Sequence, residues 1–470
     1  MRTASPRPSP QEQRFAAYLE GLAKAAGHRD RQQPLKDYCR GLLLPGQRKS
    51  IEPMAARLHP DRVQAARQSL QHLVSTAPWS DEAVLAAVVR QVLPAVTRKQ
   101  PIVAWIVDDT GIPKKGKHSV GVARQYCGQL GKQDNCQVAV TLSLATWEAS
   151  LPVAYRLYLP REWAEDRARR RRAGVPEEIE FQTKPEIALE QIARALDSGL
   201  PCGVVLADAG YGSDTRFRER LAEMGLQYVV AVQGSVSVWR PGEVPLPPKA
   251  RGRTGRPPKL LRRSKDHRPV SARELVIGMG QGALRRVAWR EGSNRKLGSR
   301  FMAVRVRPAH RDYWRAEPHE ELWLLAEWPR GAEEPTKYWL ANLPAETTLK
   351  ELVRLAKHRW IVERDYLELK QELGLGHFEG RSWRGFHHHA TLCIAAYGFL
   401  VAERSLFSPR RVQAGSSWRE RSCRPTTGRG AARGQERRHE AGSIASIPER
   451  ITGWQIRQLP CCPFCGAKRL

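Results

Sequence analysis

The stretch IVAWIVDDTG (102–111) constrains this chain more than any other. It is apolar and rich in β-branched residues until two aspartates and a glycine end it. Such a run, with no polar residue at alternate positions, predicts a strand buried on both faces, which places it inside a parallel or mixed sheet. Asp108 and Asp109 then stand where that strand leaves the core.

The flanking sequence reads as layers around such a sheet. Residues 1–98 carry five helical stretches, 14–26, 35–44, 51–58, 60–75 and 80–93, and form a helical N-terminal domain. Binding of DNA ends and a plain structural role are both open for it. The residues 136–146 and 151–160 predict two more strands, and 184–199 predicts an amphipathic helix ending at Gly199. VVLADAGYG (204–212) repeats the pattern of an apolar strand that runs into a carboxylate and a glycine turn. A helix over 214–225 and a strand over 227–233 follow. From 235 to 346 the chain reads as a β-rich insertion, with strands expected at ELVIGMG, RRVAWRE, RFMAVRVRP, ELWLLAEWP and KYWLANL. Residues 348–375 contain no Gly or Pro before Gly374 and predict one long helix, and 387–407 predicts another. The expected organisation is therefore a helical domain (1–98), a first core segment (99–234), the insertion (235–346), a second, helical core segment (347–407) and a basic linker with a Cys-containing tail (408–470). The fold class is α/β, a mixed sheet flanked by helices.

Charge narrows the class of partner. Lys and Arg number 78 against 48 acids, a formal net charge of +30, so a polyanion, above all nucleic acid, is the expected partner. Residues 404–440 hold ten Arg against three acids and read as a basic linker. Nine Cys in 470 residues are too few for a secreted disulfide scaffold. No window has the apolar length of a membrane span, and the first residues lack the apolar stretch of a secretory signal. The expected location is the cytoplasm, at the nucleoid.

Three acids stand out as candidates for chemistry: an aspartate at the end of the first core strand, Asp208 at the end of a later one, and Glu363 in the long helix. Singly, each is ordinary turn or helix chemistry. Together they could hold hard divalent cations, which prefer oxygen donors and are typically bound by a few carboxylates plus substrate phosphate. On the helix, Arg359, Glu363 and Lys370 fall within about 40° of one another and share a face, so a carboxylate lies between two cations. The blander reading is a surface i,i+4 ion pair.

DDTGIPKKGKHSVGVARQYCGQLGKQDNCQVAV, VLADAGYG and the block from KYWLANL to HHHATL resemble bacterial insertion-sequence transposases of the DDE type. More narrowly they resemble the branch with a β-rich insertion and a Y-x2-R-x3-E-x6-K signature. Arg359, Glu363 and Lys370 match that signature, whereas its Tyr position is Ala356. The resemblance implies an RNase H-like catalytic domain, with Asp109, Asp208 and Glu363 as catalytic metal ligands for two Mg²⁺ or Mn²⁺ ions. Asp109 is taken over Asp108 because the family's first Asp precedes Thr or Ser; the residues alone leave the two open. It further implies double-stranded DNA as substrate, cleavage at the element's ends, joining of the 3′-OH to target DNA, and a homodimer in a synaptic complex. A DNA-binding regulator without activity and an RNase H-like nuclease without strand transfer are the alternatives.

Arg359 and Lys370 are then the expected phosphate contacts, with Lys114 and Lys115 in the Gly/Lys-rich loop after the first strand. Arg253, Arg256 and Lys259 belong to a basic stretch, 251–268, with eight Lys/Arg and one Asp; its GlyArgPro core resembles a minor-groove AT-hook. Five tryptophans in the insertion (289, 314, 323, 328 and 339) read mainly as core. Cys461, Cys462 and Cys465 supply one zinc-type knuckle where a ribbon needs two. His387, His388 and His389 are expected just ahead of the last helix.

Overall fold

The computed structural model describes residues 8–46, 48–249, 258–291 and 296–406. Arg253 and Arg256, with the AT-hook core, lie outside these residues, as do the linker and tail over 408–470 with their Cys cluster. Two compact units are present. One takes the chain up to Lys99, Glu368–Glu379 and the segment from His388; the other takes Gln100–Leu367 and Gly380–His387.

The first unit is helical. It contains α1 (Pro10–Ala25), α2 (Arg29–Leu43), α3 (Ile51–Leu58), α4 (Val63–Ser75) and α5 (Asp81–Thr97). Their starts follow local chemistry: Ser9 and Glu12 form a capping box on α1, and the Ser80 hydroxyl accepts from Ala83 N on α5. The buried sides of these helices carry Phe15, Leu22, Leu35, Leu42, Leu70 and Val88.

The second unit is built on a sheet of twelve strands among the described residues. Its first part comprises β1 (Ala104–Pro113), β2 (Ala123–Cys127), β3 (Lys132–Ala145) and β4 (Ser150–Leu157). The short helices α6 (Arg161–Ala164) and α7 (Arg167–Ala173) follow, the second an Arg-rich run begun by Asp166 capping Arg169 N. Next come α8 (Lys184–Asp197), β5 (Val204–Ala207), α9 (Ala209–Gly212), α10 (Thr215–Glu223) and β6 (Tyr228–Val232). β1 lies between β3, antiparallel, and β5, parallel; β5 pairs in parallel with β6. The spatial order β4-β3-β1-β5-β6, with helices packed on both faces, is an α/β RNase H-like arrangement.

The β-rich stretch does not form a sheet of its own. It holds β7 (Ser237–Trp239), β8 (Val270–Ser271), α11 (Ala272–Met279), β9 (Arg285–Glu291), β10 (Lys296–Pro308), β11 (Leu322–Glu327) and β12 (Lys337–Ala341). β12 pairs antiparallel with β6, from Tyr338↔Val232 to Ala341↔Val229, so these strands prolong the core sheet. ELVIGMG, expected as a strand, is the body of α11. Ser271 and Glu274 form a capping box that satisfies the first amides of a helix, and this local signal overrides the β-branched residues. Trp328 and Trp339 are buried, while Trp314 is 59% exposed beside Arg311.

The expected helix over 348–375 is two helices, α12 (Leu349–His358) and α13 (Trp360–Gln371), with Arg359 at the break. α14 (Trp383–Leu406) begins before the three histidines, which are buried inside it rather than ahead of it. Ala104 and Ile106 of β1, Leu206 of β5, Val353 and Ala356 of α12, and Ile361 and Val362 of α13 share one apolar core. That packing seats α13 against β1 and β5 beside Asp108. Behind β5 the chain is tight: a Cβ on Gly212 would fall 2.0 Å from the carbonyl oxygen of Ala231 on β6. Gly212→Ala is therefore expected to lower stability by about 1–3 kcal/mol, a typical cost of overpacking, read as a lower urea midpoint at unchanged slope.

Candidate active site

β1 does not stop at its acids as expected but runs on to Pro113, paired with β3 throughout, so Asp108 and Asp109 lie in mid-strand and alternation along β1 separates them. Ala104 and Ile106 face the core shared with α12 and α13, whereas the indole Nε1 of Trp105 donates to Pro201 O at 2.8 Å. Side chains two apart on a strand share a face, so Asp108 follows Ile106 and Asp109 follows Trp105. The contacts agree. Arg359 Nη1 lies 2.8 Å from Asp108 Oδ2. Asp109 instead receives Lys184 Nζ at 2.5 Å and the Tyr211 hydroxyl.

Asp208 arrives from β5. The parallel register pairs Ala104 with Val204, Trp105 with Val205 and Ile106 with Leu206; continued by two residues it sets Asp108 level with Asp208. Asp208 is the N-cap of the single turn α9, and its Oδ1 accepts from Gly210 N at 2.8 Å and Tyr211 N at 3.4 Å. Those bonds fix the carboxylate at the strand's end.

Glu363 comes from α13. Its side chain is 61% exposed, and Arg359 Nη2 donates to its Oε1 at 3.1 Å. One guanidinium thus bridges Asp108 and Glu363. Burial works against the charge of Arg359, but Asp108, Glu363 and Asp208 together hold its pKa above the ordinary value. Burial pushes the Asp108 carboxyl up to about 6; Arg359 opposes that shift and Asp208 adds to it. Burial likewise raises the Tyr211 phenol, reinforced by Asp109, Asp208 and Asp108. This tyrosine therefore senses the three aspartates and donates to Asp109, the one that Arg359 leaves aside.

The structure brings Asp108, Asp208, Arg359 and Glu363 together. Asp109, Lys184 and Tyr211 make a second group on the other side of β1. Sequence reasoning passed over Lys184 and Tyr211. The capping box of Thr183 and Glu186, which sets Lys184 in the first turn of α8, was the available signal. The other expected DNA contacts lie elsewhere. Lys114 follows β1, its main-chain N donating to Asn135 O, and burial lowers its ammonium to about 8. Lys115 is exposed in the next loop, Lys259 is exposed beside the basic stretch, and Lys370 is seven residues past Glu363 on α13, in the other unit. Ala356, at the signature's Tyr position, is buried in the apolar core and presents nothing outward.

The donor set suits a hard divalent cation: all carboxylate oxygen, including a buried acid whose carboxyl is pushed up to about 6 by burial first and by Asp208 in addition. Among the described residues, no three metal-ligating side chains are already drawn into a cage. Arg359 stands between Asp108 and Glu363 and pairs with both.

An RNase H-like sheet with carboxylates from two adjacent strands and a packed helix defines a protein of the DDE class. The chain belongs to the DDE superfamily endonucleases, whose family pattern matches residues 19–296. That range contains Asp108, Asp109, Lys184 and Asp208 and stops before Glu363. A probable transposase for insertion sequence element IS701 from Microchaete diplosiphon is 36% identical over 170 residues, which is 36% of this chain and 41% of that protein. The chain thus spans less than half the length of that curated relative. Among the described residues, no helix is long and apolar enough to cross a membrane.

Removing the bridging cation should unsettle this site. Arg359→Ala strands Asp108, whose side chain is only 14% exposed, and is expected to cost about 3 kcal/mol in denaturant unfolding. Arg359→Lys should recover only part of that loss, because an ammonium does not reproduce the planar two-pronged contact.

Proposed function

We propose that this chain is an insertion-sequence transposase that cuts DNA at the element's ends and joins the freed 3′-OH to target DNA. The carrying observation is the convergence of Asp108, Asp208 and Glu363 on one guanidinium, from strand, turn and helix. We assign the first ligand to Asp108 rather than Asp109. Asp108 shares the face of β1 that α13 covers and stands beside Asp208, whereas Asp109 is engaged by Lys184 and Tyr211.

Asp108, Asp208 and Glu363 would hold the Mg²⁺ or Mn²⁺ ions that the family resemblance implies. Two such ions, when bound, activate the attacking oxygen and steady the leaving one in an in-line displacement. The protein's own part is positioning and charge placement. Once its proton has passed to solvent, Asp108 would offer a full carboxylate to such an ion. Glu363, the most exposed of the trio, turns inward from α13 and releases Arg359. The freed guanidinium, with its planar fork of donors, then takes a backbone phosphate. Asp109 keeps Tyr211 and Lys184 in place behind the turn that presents Asp208. Two ends must be cut and joined together, so the working form is a homodimer on paired ends, acting in the cytoplasm at the nucleoid.

The test is cleavage of duplexes carrying the element's ends in Mg²⁺ or Mn²⁺. Asp108→Asn, Asp208→Asn and Glu363→Gln should each abolish nicking in folded protein, while Asp109→Asn should retain a reduced rate. Equal loss in Asp109→Asn with full activity in Asp108→Asn would reverse the assignment. Nicking without joined product would mark a nuclease that lacks strand transfer.

Proton competition supplies a second check. A carboxyl at about 6 is protonated below that pH, and a cation must displace the proton. Mn²⁺ affinity measured without DNA should therefore fall by about tenfold per pH unit below 6 and level off above it. In Asp108→Asn that inflection should vanish.

A further inference from the structure

We infer that α4 is a sequence-reading helix that enters the major groove of duplex DNA; this rests on the reading that the protein acts on DNA. The first observation is architectural. α3 and α4 are joined by only His59–Arg62, and α2, α3 and α4 pack against one another. Two helices in a tight turn, braced by a third, are the frame in which a second helix can be presented to a groove.

The second observation is the division of α4 into two faces. Ala66, Leu70, Leu73 and Val74 are buried. Gln64, Arg67, Gln68 and Gln71 are exposed and follow one another at i, i+3, i+4 and i+7, forming one stripe along the helix. These side chains are amides and a guanidinium, the groups whose paired donors and acceptors match the major-groove edges of adenine and guanine. Ala65 and Ser69, small and exposed, let backbone and base edges approach beside them.

The third observation is charge. From Arg62 to Ser80 the chain carries no carboxylate, so nothing on this helix repels phosphate. The exposed side of α8, by contrast, mixes signs: Arg194 pairs with Glu190. A merely solvated helix has no need of three glutamines in one row, and they gain nothing from each other beyond local bonds. Arg67 Nε donates to Gln64 Oε1 at 3.2 Å, and Gln71 Nε2 donates to Ser75 Oγ at 2.7 Å. Those exposed bonds are cheaply exchanged for base contacts.

The experiment uses the full chain in metal-free buffer, so that binding is read without cleavage. A pool of random 20-base-pair duplexes is selected on the wild type at physiological salt, and affinity is measured for the enriched duplex and a scrambled copy. Wild type should enrich a motif. Gln64→Ala, Arg67→Ala and Gln68→Ala should each reduce the preference for motif over scramble by about tenfold or more, with unchanged circular dichroism. Gln68→Glu, which keeps size and exposure, should do the same and also weaken binding to both duplexes. Specificity unchanged in all four variants, or no motif enriched by a wild type that still binds duplex, overturns the inference and leaves the cleavage reading standing. A wild type that binds no duplex at all overturns both.

Discussion

The parallel pairing of β1 with β5 is the constraint on which the site depends. Backbone hydrogen bonds hold together two strands that lie about a hundred residues apart in the chain, and their register decides which carboxylates meet. A slip of one residue would turn Asp108 away from Asp208, because side chains alternate between the faces of a sheet. Apolar burial enforces the register. Ile106 and Leu206 belong to one core with Val353, Ile361 and Val362, so the same contacts that hold the sheet in place also seat the helix that carries Glu363.

Arg359 resolves the electrostatic problem that this convergence creates. Three carboxylates gathered around one guanidinium would otherwise repel one another, and Asp108 already carries a raised pKa from burial and from Asp208. A guanidinium with a planar fork of donors can hold two of them at once. Its position at the break between α12 and α13 matters for this. It is the C-cap of one helix and immediately precedes the other, so its side chain reaches back to β1 and forward to Glu363. Because it pairs with both acids, rearrangement at Arg359 is central to the proposed mechanism.

The long stretch after β6 extends the sheet instead of interrupting it. β12 returns to pair with β6, and the chain then passes directly into α12. Lys357 on α12 pairs with Glu327 of β11 at 2.5 Å and lies over the rings of Trp289 and Trp339, which ties the added strands to the helix pair that bears the site. The added strands and the helix pair that carries Arg359 and Glu363 are thereby packed together within this unit.

Much of this was legible in the sequence because its signals are local. The apolar runs ending in Asp and Gly marked β1 and β5, the N-terminal helices announced themselves by periodicity, and the signature residues singled out Arg359 and Glu363. Where a stronger local signal was overlooked, as with the capping box at Ser271, ELVIGMG read as a strand and folded as a helix. The choice between Asp108 and Asp109 was of another kind. β1 is buried on both faces, so its sequence lacks the polar alternation that would reveal which side is which. The sequence by itself determined that a core strand would carry two adjacent carboxylates, although it placed them at the strand's end and the ladder with β3 continues past them to Pro113. Only the packed structure decided which one meets Asp208, Arg359 and Glu363, because a side chain's direction acquires meaning only once the neighbouring strand and the covering helix are in place.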